Sequence, residues 1–179
     1  VLRRLAGNDP LPPPRVVVVG TTPVAQALET LGSGVGLAGE LTDGESAVPR
    51  AGDAALIVAS HGKAEEVALE AALRAGVPYV ALVASGTRGA AVLESLDVDQ
   101  AQRDRVFTPA GLQLGARSPG EIALSILAQL IQERSRSRHA APAAPPTLSP
   151  GPLSPDRPEP AATDSPATAI DPVCGMTVA

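Results

Sequence analysis

Three short apolar runs constrain this chain more than any other feature: RVVVVG at 15–20, AALIVAS at 54–60 and VPYVALVA at 77–84. Each is too short for an ordinary helix, and Gly, Pro or Ser stands at its borders. An unbroken apolar run of that kind is a strand buried on both faces. Helical patterns fill the gaps. TPVAQALETLG has Thr22 as N-cap, Pro23 at the first helical position and Gly32 at the end. KAEEVALEAALRAG places Glu in its first turn, Arg74 in its last and Gly76 as the stop. TRGAAVLESL predicts a further helix, DVDQAQRDRV one or two helical turns, and VFTP a short strand. Residues 33–53 carry only one weak strand signal, VGLA, in what otherwise reads as loop.

Strands alternating with helices demand right-handed crossovers and a parallel sheet. The fold class is therefore α/β: a Rossmann-like, doubly wound, mainly parallel sheet of about five strands with helices on both faces. Hydrophobic residues make up 44% of the chain and aromatics 1%, so Val, Leu, Ile and Ala must build the core. The expected organisation is an N-terminal extension over 1–14, the Rossmann-like domain over 15–138, a Pro- and Ala-rich disordered linker over 139–170, and a separate short motif over 171–179. Because the chain opens on Val and closes on what reads as the start of a motif, a fragment is expected.

Composition narrows the function classes. A formal net charge of -5 argues against a nucleic-acid partner. No apolar run approaches the roughly 18 residues of a membrane span. A single cysteine, Cys174, can form no internal disulfide, and a cytoplasmic protein is the expectation.

The stretch GLQLGARSPGEIALSILAQLIQERSRSRH, 111–139, turns from a glycine-punctuated loop into the strongest helix signal of the chain. Ser118 as N-cap, Pro119 at the first position and Glu121 three residues past the cap form a capping box. Ile122, Ile126, Leu127, Leu130 and Ile131 give that helix an apolar face for the sheet. Gly111 and Gly115 allow turns and close approach, and Arg117 stands at the positive helix start, where an anion would satisfy both.

Ligands of doubly wound sheets bind beyond the carboxyl ends of the strands. The loops there supply Gly20, Thr21 and Thr22, then Ser60 and His61, then Ser85, Thr87 and Arg88, and finally Gly115 and Arg117. Small, hydroxylic and cationic groups converging on one edge suit a phosphate or pyrophosphate. GTTPVA fits the dinucleotide fingerprint only in part: Gly20 and Ala25 match, but Thr22 replaces the middle glycine, which weakens an NAD(P) site. Glu40 and Asp43 are the acids nearest a ribose position. His61 suits general acid–base work, with a structural loop histidine as the plain alternative. Ser60 and Ser85 lie in no nucleophile elbow, so a hydrolase triad is not expected and no catalytic residue is assigned. Cys174 and Met176, in DPVCGM, pair a thiolate with a thioether, a donor set for copper(I) or another soft metal that is incomplete by itself.

The segments AALIVASHGKAEEVALEAAL, VPYVALVASGTRGAAVLESL and GLQLGARSPGEIALSILAQLI together resemble the Rossmann-like C-terminal domain of the XdhC/CoxI family. That family typically ends one strand in Thr-His-Asp and another in Gly-Ser-x-Arg. It closes on Gly-Leu-x-Ile-Gly-Ala-x-Thr-Pro-x-Glu-Ile-Ala-x-Ser-Ile. The counterparts here are SHG, ASGTR and GLQLGARSPGEIALSI. The resemblance implies an accessory factor, chaperone-like rather than catalytic, for a molybdenum hydroxylase such as xanthine dehydrogenase or carbon monoxide dehydrogenase. It would bind molybdenum cofactor, as molybdopterin or its dinucleotide form, and aid its insertion. The implied partners are the hydroxylase apoenzyme, a sulfur-transfer enzyme and a second copy of the chain.

The departures are specific. GTTPVA lacks the middle glycine and the histidine of the family's Gly-Ala-Gly-His-Val-Ala loop, SHG lacks the aspartate, and the second-strand Asp-Pro-Arg is missing. DPVCGM resembles the opening of a YHS module, a small metal-associated domain, which makes Cys174 and Met176 ligand candidates. Two other functions remain in view: an NAD(P)-binding oxidoreductase, and a degenerate Rossmann scaffold tethering a metal-binding tail.

Overall fold

A computed structural model of the chain describes residues 12–62, 64–140, 169–170 and 177–178. Two compact units divide at 142 and 143. In the first, β1 (Arg15–Val19), β2 (Ala38–Thr42), β3 (Ala55–Val58), β4 (Val80–Leu82) and β5 (Val106–Phe107) form one five-stranded sheet in the order β2-β1-β3-β4-β5. All four pairings are parallel. Strand order therefore reverses between β1 and β3, the doubly wound arrangement expected from the alternation of strands and helices.

Alternate residues of the buried strands serve two cores. Val16 and Val18 with Ala55 and Ile57 face α1 (Pro23–Gly34) and α5 (Pro119–Ala140), where Leu28, Ala123, Ile126, Leu127 and Leu130 complete the layer. Val17 and Val19 with Leu56 and Val58 face α2 (Glu65–Arg74) and α3 (Gly86–Ser95), against Leu69, Leu73, Val92 and Leu96. The all-Val run is thus explained: a strand with a helix on each face needs an apolar side chain at every position. The one stacked aromatic pair, Tyr79 and Phe107 at a centroid separation of 4.9 Å, lies in the first of these layers.

Local signals mark most of the element ends. Thr22 caps α1, Ser85 caps α3, and Asp99 with Gln102 closes a capping box on the short α4 (Gln100–Arg103). Ser118 Oγ accepts from Glu121 N–H at 3.3 Å while Glu121 Oε2 accepts from Ser118 N–H at 2.9 Å, the reciprocal pair expected from SPGE.

Three expectations need correction. Helix α1 runs past Gly32 to Gly34, and Leu37 N–H closes it on the Gly32 carbonyl at 2.9 Å. The strand read at VGLA begins only at Ala38 and extends to Thr42. It sits at a sheet edge with half-buried and exposed residues, so it lacks the apolar run that marks its neighbours. On α5, Ile126, Leu127 and Leu130 are buried but Ile131 is 47% exposed, because the helix turns that position away from the sheet. Helix α5 itself ends at Ala140.

No described helix is long and apolar enough to cross a membrane. In the second unit, β6 (Ala169–Ile170) pairs antiparallel with β7 (Thr177–Val178). Most of the Pro- and Ala-rich stretch, together with Cys174 and Met176, lies outside the described residues.

Candidate functional site

The reversal of strand order separates the loops that follow β1 and β3, and a cavity of ≈ 290 Å³ opens there. Gly20, Thr21, Thr22, Asp43, Gly44, Ser60 and His61 line it. A smaller adjoining space of ≈ 180 Å³ shares Thr22, Ser60 and His61 and adds Arg88 and Pro119. Loops from β1, β2, β3 and β4 thus meet the start of α5 along one cleft.

Its walls are fixed by close backbone approach. Gly20 has φ +123, and a Cβ there would stand 2.4 Å from the Ala59 carbonyl oxygen, so only glycine lets the two loops touch. Thr22 Oγ1 donates to that same Ala59 carbonyl at 2.7 Å and accepts from Ala25 N–H at 3.2 Å. The residue that breaks the dinucleotide fingerprint is therefore both the cap of α1 and a tie between β1 and β3. The exchange has a consequence for anions. Pro23 has no N–H, Ala25 N–H is engaged by Thr22, and Gln26 N–H donates to the Thr22 carbonyl at 3.0 Å. Val24 N–H is what the first turn of α1 has left to offer a phosphate.

Sequence reasoning missed the centre of the second wall. Glu65, 1% exposed, accepts from Ser60 Oγ at 2.7 Å and from Gly62 N–H at 3.0 Å on Oε1, and pairs through Oε2 with Arg88 Nη2. Burial works against its charge, but hydrogen bonds from Ser60, Arg88 and Gly62 together outweigh it and hold the carboxyl below the usual carboxylate range. Two of the expected anion-binding groups, Ser60 and Arg88, thus already serve an internal anion. The visible signal was the acidic first turn of KAEEVALEAAL, which reads as a helix-dipole partner until the fold turns it inward.

The other expected residues are spread along the edge. His61 is exposed and lines both spaces, whereas Ser85 and Thr87 are exposed at the start of α3 and line neither. Gly115 has φ +71 with open space where a Cβ would stand, so it serves the turn and not a close approach. Arg117 is exposed, and its N–H donates to Glu121 Oε2 at 2.9 Å, so an internal carboxylate already occupies the start of α5. Of the two acids named near a ribose position, Glu40 pairs with Arg15 at 2.7 Å, whereas Asp43 follows the last residue of β2 and lines the larger cavity. Its carboxylate accepts from Ser46 N–H at 2.7 Å and Ser46 Oγ at 3.1 Å, which lowers its pKa. Among the described residues no three His, Cys, Asp or Glu side chains gather into a metal-binding group.

A probable xanthine dehydrogenase subunit from Bacillus subtilis (strain 168) is 29% identical over 84 residues, which are 47% of this chain and 24% of that protein. The crystal structure of a xanthine dehydrogenase from Bacillus halodurans is similar with a TM-score of 0.61 at 25% identity, over 73% of this chain and 47% of that one. The chain therefore spans less than half the length of either relative. Residues 16–130, β1 through most of α5, match the family described as the XdhC Rossmann domain, and the chain belongs to the XdhC family.

Proposed function

We propose that this protein is an accessory factor for a molybdenum hydroxylase such as xanthine dehydrogenase or carbon monoxide dehydrogenase, holding molybdenum cofactor at the carboxyl edge of the sheet and aiding its insertion. The observation that carries the proposal is the cleft at the β1/β3 switch point within a domain of the XdhC family. Both relatives bear the name of xanthine dehydrogenase, which supports that enzyme as client.

The donor set fits the polar, phosphate-bearing end of such a cofactor. Gly20, Thr21, Thr22, Ser60 and His61 line the cavity and Arg88 reaches the adjoining space; Ser85, Thr87, Gly115 and Arg117, outside both spaces, are the outer candidates of the same reading. Arg88 directs Nη2 at Glu65 and keeps further N–H donors for a phosphate oxygen. The cofactor supplies the oxygen-transfer chemistry to its client. This chain's residues bind, orient and shield it, and none is given a catalytic step. A sulfur-transfer enzyme and a second copy of the chain complete the proposed assembly, in the cytoplasm.

Equilibrium binding of molybdopterin to the purified protein, alone and with apo-xanthine dehydrogenase, tests the proposal. Binding that transfers cofactor to the apoenzyme is expected; no binding in either condition sinks it. Asp43 at the end of β2 favours a second reading, an NAD(P)-binding oxidoreductase, which hydride transfer from NADH or NADPH would reveal. The proposed copper(I) or other soft-metal site at Cys174 and Met176 predicts that Cys174→Ser abolishes copper(I) binding.

A further inference from the structure

Helix starts that face a cleft are ordinarily its phosphate donors, and two of them here are stripped of that use. The adjoining space of ≈ 180 Å³ is bordered by Pro23 of α1 and Pro119 of α5, and neither residue has an N–H to give. In α1 the N–H groups of Ala25 and Gln26 are engaged by Thr22. At the start of α5 those of Arg117 and Ser118 donate to Glu121 Oε2 at 2.9 Å each, and those of Glu121 and Ile122 donate to Ser118, at 3.3 and 3.0 Å. Each first turn is left with one N–H for a ligand, that of Val24 and that of Gly120.

The guanidinium lining this space is neutralised in a similar way. Arg88 pairs through Nη2 with Glu65, 1% exposed, whose other carboxylate oxygen is fixed by Ser60 Oγ and Gly62 N–H. A phosphate entering beside Arg88 would face the buried carboxylate behind it and find no second cation for its charge. What the walls offer instead is the apolar surface of Pro23, Val24, Val83 and Pro119, with the N–H donors of Arg88 that Glu65 leaves unused. Apolar walls with a few placed donors suit a flat ring with acceptor atoms on its edge. We infer that this space takes an uncharged heteroaromatic ring bearing carbonyl and ring-nitrogen acceptors, and that Glu65 sets the preference by cancelling the charge of Arg88.

The inference rests on the cofactor-holding reading and deepens it by naming the end that enters. The pterin ring seats between the starts of α1 and α5, and the phosphate-bearing end extends into the larger cavity, which shares Thr22, Ser60 and His61 with this space. Arg88 then donates to a ring oxygen in place of a phosphate oxygen.

Isothermal titration of the full chain with 6-hydroxymethylpterin, an uncharged ring, and with inorganic pyrophosphate tests the inference, with Glu65→Gln and Pro119→Ala alongside. The pterin is expected to bind the native chain at least about tenfold more tightly than pyrophosphate. Glu65→Gln, which leaves the Arg88 charge uncancelled, should raise pyrophosphate affinity about tenfold without a matching gain for the pterin. Pro119→Ala lies outside the Glu65 network and returns an N–H to the start of α5, so it should move the ratio in the same direction by a smaller factor. Melting curves establish that each variant folds, and the ratio in the native chain decides the matter even where one does not. Pyrophosphate binding as tightly as the pterin, or no pterin binding at all, overturns the inference. The cofactor reading fails separately. Molybdopterin displaced by pyrophosphate and not by 6-hydroxymethylpterin would keep that reading and sink the inference, whereas pterin binding without molybdopterin binding would do the reverse.

Discussion

At the scale of single residues, the chemistry of the cleft is organised by two side chains that tie neighbouring backbone and side-chain groups together. Glu65 satisfies three donors from a buried position. Removing it leaves Ser60, Gly62 N–H and Arg88 without their acceptor, and Glu65→Ala should cost about 2–3 kcal/mol in urea unfolding, discounted because Arg88 is partly solvated. The same pair gives a pH dependence. Glu65 has its pKa lowered in the folded state, so its stabilisation is complete above the ordinary glutamate value of 4.5 and fades as pH falls through the lower folded value. Unfolding free energy should therefore drop more steeply below about pH 4.5 in the native chain than in Glu65→Gln; equal slopes would contradict the assignment. Thr22 is the other holder. Replacing it with Gly restores the dinucleotide fingerprint but removes the Ala59 tie, and a loss of about 1 kcal/mol is expected in thermal or urea unfolding. Ser at the same position should keep most of the stability.

At the scale of elements, α5 shows how sequence pattern and packing divide the work. The capping box at Ser118 and Glu121 was legible because its partners lie three residues apart and need nothing from the rest of the chain. The apolar face was legible to within one position. Ile131 satisfies the helical period, yet it lies on the margin of the stripe, where the sheet ends and solvent begins. Leu130→Ala should therefore cost about 3 kcal/mol while Ile131→Ala costs under about 1 kcal/mol, a contrast that parallel urea titrations would read directly. Edge strand β2 was the element least visible from sequence. Its residues Gly39 and Glu40 interrupt any apolar run, and it is defined by its pairing with β1. That misplacement left Glu40 and Asp43 undivided as acids near a ribose position, and Asp43 is seen to follow the strand directly only once β2 reaches Thr42.

For the folded domain as a whole, the sheet order sets both stability and function. Strands β1 and β3 are covered on both faces and paired on both edges, so their amides should open only with global unfolding. Hydrogen exchange should be slowest at Val17, Val18, Leu56 and Ile57 and markedly faster at Gly39 and Leu41 of β2. Comparable protection across all five strands would mean that the edges are buried in an assembly. The same order puts the cleft where two helices leave the sheet on opposite faces, which leaves a gap that no side chain fills.

The sequence by itself determined what depends on near neighbours: three buried strands, the helices between them, their caps, and the small, hydroxylic loops at one edge of a parallel sheet. The family resemblance reached equally far, because its motifs lie within those same loops. Tertiary structure alone decided which loops meet and which groups are already taken. Arg88 and Ser60 look like free anion-binding groups in the chain and become partners of Glu65 in the fold, while of the two acids named near a ribose position Asp43 lines the cavity and Glu40 pairs with Arg15. The physical reason is that a charge's role is set by what lies within a few ångströms of it. For Glu65 and Arg88, residues separated by 23 positions, only the packing of α2 beside α3 brings that distance about.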